Sequence, residues 1–76
     1  MQLIILTPYD TQTHSTEVVF LPGAAGSFEV LRNHAPIIST LSAGVIRWRE
    51  GGDEKTFAIK GGSVMVRDNV ITVCAE

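Results

Sequence analysis

Two histidines, one cysteine and several serines are the side chains in this sequence that could carry out chemistry. A zinc site needs three or four ligands, and His14, His34 and Cys74 are dispersed through 76 residues without ligand spacing. We therefore expect no metal site. His14 stands in the polar segment Thr11–Thr16, which we interpret as a loop. His34 precedes Ala35-Pro36, so we expect a turn residue whose ring hydrogen-bonds a nearby backbone group, and also consider it as a contact on a partner surface.

Nucleophilic catalysis is the second possibility that these residues raise. Ser27, Ser39 and Ser63 do not stand in the Gly-x-Ser-x-Gly turn that exposes a serine hydroxyl above an oxyanion hole. Cys74 falls on an apolar strand, where we expect a buried, inert thiol. The sequence therefore predicts that the chain is not an enzyme by itself.

The glycine-rich run Gly23-Ala24-Ala25-Gly26 invites comparison with a phosphate-binding loop. It lacks the Gly-Lys-Ser/Thr ending and leads into a strand, whereas phosphate sites use the N-terminus of a helix. We interpret the run as a tight turn, and we expect no cofactor and no small-molecule ligand.

Composition limits the partners. Six basic and eight acidic residues give a net charge of −2, which disfavours nucleic acid, whose phosphates require a clustered positive face. The apolar run Leu3–Leu6 is far shorter than the roughly 20 residues that span a bilayer, so we expect no direct membrane insertion. The single cysteine cannot form an internal disulfide, which fits a reducing compartment.

The elements that must position these residues read as strands throughout. The pattern predicts about eight: residues 2–7, 16–21, 28–31, 36–41, 44–50, 55–60, 64–67 and 70–75. Turns follow from Glu50-Gly51-Gly52-Asp53 and, more weakly, from Asp68-Asn69. With no amphipathic helix, the chain is predicted to be one all-β domain over residues 1–76, a small two-sheet β-sandwich of about 8–10 short strands, or a barrel.

Hydrophobic alternation identifies the core and a possible partner surface. Ile46, Trp48, Phe57, Ile59 and the valines of the last hairpin should be buried, with Arg47 and Arg49 on the opposite face. Leu3–Leu6 and Val70–Val73 carry apolar residues on both faces. A sheet covered by a partner would show this pattern, as would crowding in a small core.

Five segments in register resemble the epsilon subunit of F-type ATP synthases, and together they span nearly the whole chain. They are Met1–Pro8, Val18–Gly23 with Gly26, His34-Ala35-Pro36-Ile37, Leu41–Arg47, and Gly61–Val66 with Asn69–Val73. The resemblance marks Pro22, Gly23, Gly26, Ala35, Pro36, Gly44, Gly61 and Gly62 as turn and signature positions.

The resemblance implies a non-catalytic rotor subunit of the central stalk, peripheral at the cytoplasmic face of a bacterial cell membrane. Such a domain packs on the gamma subunit and touches the c-ring, helping to couple proton or sodium translocation to ATP synthesis. Residues 26–36 should lie at or near the end of the domain that touches the c-ring. The implied contacts with the c-ring or gamma are Ser27, Phe28, Glu29, Arg32, Asn33 and His34.

Most members of this family continue into a pair of C-terminal helices, which in some members binds ATP. The sequence stops at Glu76, where the sandwich should end, so we expect neither that helical hairpin nor an ATP site.

A carrier or adaptor β-domain of the lipoyl or biotinyl type is the alternative. It requires a lysine at the tip of a tight hairpin. Lys60 precedes Gly61-Gly62 without the flanking pattern, and Lys55 sits at the entry of a strand.

Overall fold

The structure, a computed structural model, describes residues 1–76 as nine β-strands without a helix, within the range predicted from the sequence. The strands are β1 (Gln2–Leu6), β2 (Thr11–Ser15), β3 (Val18–Leu21), β4 (Phe28–Leu31), β5 (Ile37–Leu41), β6 (Gly44–Glu50), β7 (Asp53–Ile59), β8 (Gly62–Arg67) and β9 (Val70–Ala75). The chain contains no helix that could cross a lipid bilayer.

The strands form two sheets, which confirms the predicted β-sandwich. The first sheet has the order β2-β1-β9-β8-β5 and the second has the order β4-β3-β6-β7. Neighbours pair antiparallel except β1 and β9, which are parallel. The chain passes from β4 to β5 through residues 32–36, and Gly23 bridges Leu41 of β5. Edge strands β4 and β5 therefore lie on the same side of the sandwich.

Two tight hairpins form where the sequence predicted turns. Gly51 and Gly52 have φ angles of 60° and 87°, and Asp68 and Asn69 have φ angles of 51° and 62°. Positive φ at both central residues defines the type I′ turn, whose twist matches that of the paired strands. Glycine adopts this conformation freely, and Asn and Asp tolerate it because their short polar side chains bond locally.

The core between the sheets is aliphatic with one tryptophan. Its buried members are Leu3, Ile5, Val19, Leu21, Val30, Leu41, Ile46, Trp48, Ile59, Val64, Val66, Ile71, Val73 and Ala75. The predicted burial of Ile46, Trp48 and Ile59 is thus confirmed, while Phe57 is only partly buried and packs against this cluster. Arg47 and Arg49 are exposed on the opposite face, as predicted.

Two expectations from the sequence were wrong. Thr11–Ser15 was interpreted as part of a polar loop, but it forms β2 and pairs with β1 at five positions. A polar strand is stable here because it lies at an edge with one face in solvent. Cys74 was expected to be buried and is exposed. The inward positions of β9 belong to Ile71, Val73 and Ala75, so alternation turns Cys74 outward.

Candidate partner interface

The six residues implied as partner contacts lie on edge strand β4 or directly beside it. Phe28 and Glu29 belong to β4 and Ser27 precedes it. The other three, Arg32, Asn33 and His34, follow it. Pairing with β3 fixes the position of β4: Phe28 pairs with Leu21 at one end, and Leu31 pairs with Val18 at the other. A strand advances about 3.3 Å per residue, so Ser27 and His34 lie beyond opposite ends of β4. Residues 27–34 thus run along this edge of the second sheet, and they are here called the β4 strip.

The Ser27 end of the β4 strip is built on a close approach between turns. A Cβ atom on Gly23 would lie 2.5 Å from the Gly26 carbonyl oxygen and 2.8 Å from the Phe28 ring, so only glycine fits there. Gly26 N–H in turn donates to the Gly23 carbonyl at 3.0 Å. Phe28 and Glu29 then line an open groove of about 600 Å³ with Phe20.

Charges at the His34 end of the β4 strip are paired locally. Arg32 Nη2 donates to both carboxylate oxygens of Glu17, at 2.5 and 2.7 Å. Both side chains are more than half exposed, so this ion pair orients the guanidinium but adds little to stability. The His34 ring nitrogen Nδ1 lies 2.7 Å from the Ala35 carbonyl oxygen, and His34 N–H donates to Leu31 at 3.2 Å. His34 thus has the bonded turn geometry that the sequence indicated.

On its outer surface, the first sheet turns apolar side chains to solvent. We call these residues the outer apolar face: Ile4, Leu6, Ile38, Met65 and Val70. Ile38 and Met65 pair across β5 and β8 and are 81% and 46% exposed. Ile4 and Leu6 are the half-buried outward residues of β1. The two-faced apolar pattern of the sequence thus corresponds to a sheet whose outer surface is partly hydrophobic. Ile38 and Met65 were not predicted to be exposed apolar residues, although the alternation of side chains along β5 and β8 indicates that both point outward.

At the opposite edge, a polar cluster joins the two sheets. His14 Nδ1 of β2 lies 2.9 Å from Glu50 Oε1, and its ring centroid lies 4.7 Å from that of Trp48. Trp48 Nε1–H donates to the same carboxylate oxygen at 3.3 Å. His14 Nε2 lies 3.0 Å from Gln12 Oε1. The hydrogen bond from Trp48, followed by the hydrogen bond and charge of His14, lowers the pKa of Glu50 against the opposing effect of burial.

The other side chains that could take part in chemistry lie apart from one another. No group of three His, Cys, Asp or Glu side chains comes together. The tips of the two type I′ hairpins are Gly51-Gly52 and Asp68-Asn69, so no lysine occupies a tip, as a lipoyl-type carrier would require. Lys60 lies instead in the link between the sheets, where its N–H donates to the Glu76 carbonyl. These positions give the carrier alternative no support.

Comparison with known proteins places the whole chain in one family. The family model described as "ATP synthase, Delta/Epsilon chain, beta-sandwich domain" matches residues 1–76. Proteins named ATP synthase epsilon chain are 40% identical in Symbiobacterium thermophilum and 41% identical in Pelotomaculum thermopropionicum, over 100% and 99% of this chain. The chain covers 56% and 57% of those two proteins, so it spans little more than half their length.

Solved structures share the fold at low sequence identity. The chain aligns to a chain of the Euglena gracilis mitochondrial ATP synthase (OSCP/F1/c-ring) with a TM-score of 0.87 and 19% identity, over 96% of this chain and 48% of the other. A chain of the Tetrahymena thermophila mitochondrial ATP synthase central stalk/c-ring gives 0.83 and 19%, over 99% and 62%. With the model match, these findings confirm the resemblance seen in the sequence: the chain belongs to the family of the β-sandwich domain of ATP synthase delta/epsilon chains.

Proposed function

We propose that this domain is a non-catalytic component of the central stalk of an F-type ATP synthase. In this role it packs on the gamma subunit and the c-ring, and so helps to couple proton or sodium translocation to ATP synthesis. The family match over residues 1–76 supports the assignment to the complex. The domain would be peripheral at the cytoplasmic face of the cell membrane, held there by its partners.

The observation that carries the partner proposal is the outer apolar face. Ile38 and Met65 present large apolar side chains to solvent on a domain whose core is already closed by 14 buried residues. Covering apolar surface contributes about 25 cal/mol per Å², so a protein that seats on this face gains free energy without any rearrangement of the sandwich. We assign this face to the gamma subunit.

The β4 strip supports the c-ring part of the proposal. It lies on the side of the sandwich shared by β4 and β5, the strand that carries Ile38. Its exposed side chains are Ser27, Glu29, Arg32 and Asn33. A polar strip beside an apolar patch is the arrangement of an interface with a hydrophobic centre and a polar rim. Polar loops of the c-ring are suited to this rim.

Binding of the 76-residue chain to its cognate gamma subunit tests the proposal by calorimetry. Met65→Glu should weaken binding about tenfold or more, because it places a charge in an interface that excludes water. Val45→Glu is the matched control, since Val45 is also 46% exposed but lies on the second sheet. Val45→Glu should leave binding unchanged. Absence of binding by the folded wild-type chain would refute the function, and equal effects of the two variants would refute the assigned face.

A further inference from the structure

A pair of asparagines joins the β4–β5 connection to the far hairpin of the first sheet. The backbone N–H of Asn33 donates to Asn69 Oδ1 at 2.7 Å, and Asn69 Nδ2 donates to Asn33 Oδ1 at 3.0 Å. Because a backbone N–H can only donate, the first bond fixes the orientation of the Asn69 amide. That orientation turns the Asn69 NH₂ group toward the Asn33 carboxamide oxygen. The two residues are 36 positions apart in the sequence.

Asn69 is itself held firmly. It occupies the second central position of the β8–β9 turn with a φ angle of 62°, and its carbonyl accepts from the Gln2 N–H at 3.0 Å. The next residue, Val70, is paired on both sides, with Gln2 of β1 and Arg67 of β8. The Asn69 side chain therefore projects from a rigid base at the centre of the first sheet.

The β4–β5 connection has no other hydrogen bond to the first sheet. Arg32 bonds to Glu17, which precedes β3 of the second sheet. His34 bonds to Leu31 at the end of β4 and to Ala35 within the connection. Asn33, with a φ angle of 63°, sits between them in a conformation that few residues adopt without support. The amide pair thus sets where residues 32–34 stand relative to the outer apolar face.

We propose that Asn69 is a positioning residue, which holds Arg32, Asn33 and His34 of the β4 strip in the arrangement that the partner binds. This inference rests on the function proposed above, and it adds a residue that lies outside the strip itself. Ordering three residues beforehand reduces the conformational entropy that binding must otherwise remove. Asn69 would act through Asn33 without contacting the partner.

The competing explanation is that Asn69 serves its own turn and nothing more. Asparagine and glycine both favour the positive φ angle at this position, and Asp-Gly is among the strongest type I′ sequences. Asn69→Gly therefore keeps or improves the hairpin while it deletes the amide pair. Asp68→Gly is the matched control in the same turn, because the only polar contact of the Asp68 side chain is with Arg67, at 3.5 Å.

Two measurements on the 76-residue chain decide between the explanations. Hydrogen exchange of the Asn33 amide, followed by NMR, should accelerate about five- to tenfold in Asn69→Gly, the effect of one lost hydrogen bond. It should change less than about twofold in Asp68→Gly, where no bond to Asn33 is removed. The melting temperature of Asn69→Gly should equal or exceed that of the wild type. Unchanged exchange at Asn33 would overturn the proposal.

Binding to a complex of gamma with the c-ring supplies the second readout. Asn69→Gly should weaken it by about the same five- to tenfold factor, and Asp68→Gly should not. Wild-type binding that Asn69→Gly leaves unchanged would overturn the positioning role alone. A wild-type chain that is folded yet fails to bind would overturn the proposed function, and with it this inference, even if exchange at Asn33 responds as expected.

Discussion

Gly62 lies directly against the main chain of Cys74 on the neighbouring strand. A Cβ atom at Gly62 would overlap the Cys74 carbonyl oxygen and approach the Ala75 Cα atom to 3.1 Å. Neither contact involves a flexible side chain that could move aside. This contact therefore fixes how closely β8 and β9 approach each other at the start of β8.

Gly62→Ala should accordingly lower the free energy of unfolding by about 3 kcal/mol, the upper end for an overpacked site. Urea unfolding of the two proteins measures the difference. Gly51→Asn is the control, because Gly51 has a φ angle of 60° that asparagine accepts and no atom lies near its Cβ position. Its effect should stay within about 0.5 kcal/mol. A Gly62→Ala variant as stable as the control would contradict the steric argument.

Thr16 offers a second test, this time of a buried hydrogen bond. The residue is 4% exposed, and its hydroxyl donates to the Arg49 carbonyl at 2.6 Å. Thr16→Val keeps the volume but leaves that carbonyl without its donor, so we expect a loss of about 1–3 kcal/mol. Thr16→Ser keeps a hydroxyl, so it should lower the free energy of unfolding less than Thr16→Val does. Chemical unfolding of both variants would show whether the hydroxyl or the methyl group matters.

The lowered pKa of Glu50 makes stability depend on pH. The folded carboxylate holds its proton less tightly than the unfolded one, whose ordinary value is 4.5, so its contribution is complete above that value. It disappears as the pH falls through the lowered pKa of the folded state. The difference in melting temperature between wild type and Glu50→Gln should therefore shrink as the solution is acidified from about pH 7 to about pH 3.

Trp48→Phe separates the causes of that shift. It removes the indole N–H that contributes most to the lowered pKa of Glu50 and retains an aromatic ring in the core. The variant should show a weaker dependence of melting temperature on pH than the wild type. A gap between wild type and Glu50→Gln that is constant across the acid range would show that Glu50 acts through packing alone.

Cys74 provides a test that needs no unfolding. Its side chain is exposed on the outer side of β9, so a thiol reagent should label the folded chain at a rate close to that of the denatured chain. Mass spectrometry under native conditions would detect one added group, and Cys74→Ser would detect none. Protection of the native thiol until denaturation would mean that the outward position of Cys74 is wrong.

Local sequence carried most of the information about strands and turns. The Gly51-Gly52 and Asp68-Asn69 pairs predicted hairpins because few other residues accept a positive φ angle at two successive positions. Alternation placed Ile46 and Trp48 in the core and Arg47 outside it, because a strand turns successive side chains to opposite faces. These predictions needed only neighbouring residues.

The errors arose where a partner distant in sequence decides the outcome. Thr11–Ser15 has a polar composition typical of a loop, and only pairing with β1 makes it a strand. Cys74 looked buried because its neighbours are apolar, yet the registration of β9 against β1 and β8 fixes which face is inside.

The proposed partner surface was predictable in part. Its six candidate contacts were taken from a resemblance to a family motif, but a motif does not show that β4 separates the two ends of the segment. The hydrogen bond between Asn33 and Asn69 joins residues 36 positions apart, and no local sequence pattern predicts it. Tertiary geometry, which a single sequence does not state, supplied both facts.

The parallel pairing of β1 with β9 also constrains the order in which the domain can form during synthesis. The second sheet consists only of residues between Val18 and Ile59, so all its strands are available once Ile59 leaves the ribosome. In the first sheet, β1 pairs Gln2 with Val70 and Leu6 with Cys74, which joins the earliest and latest strands of the described chain. Closing that long loop is entropically costly and slow. The edge of β1 that pairs with β9 therefore stays unpaired in the nascent chain until β9 emerges. Fusions or stalls that delay β9 should leave this edge exposed to chaperones and proteases.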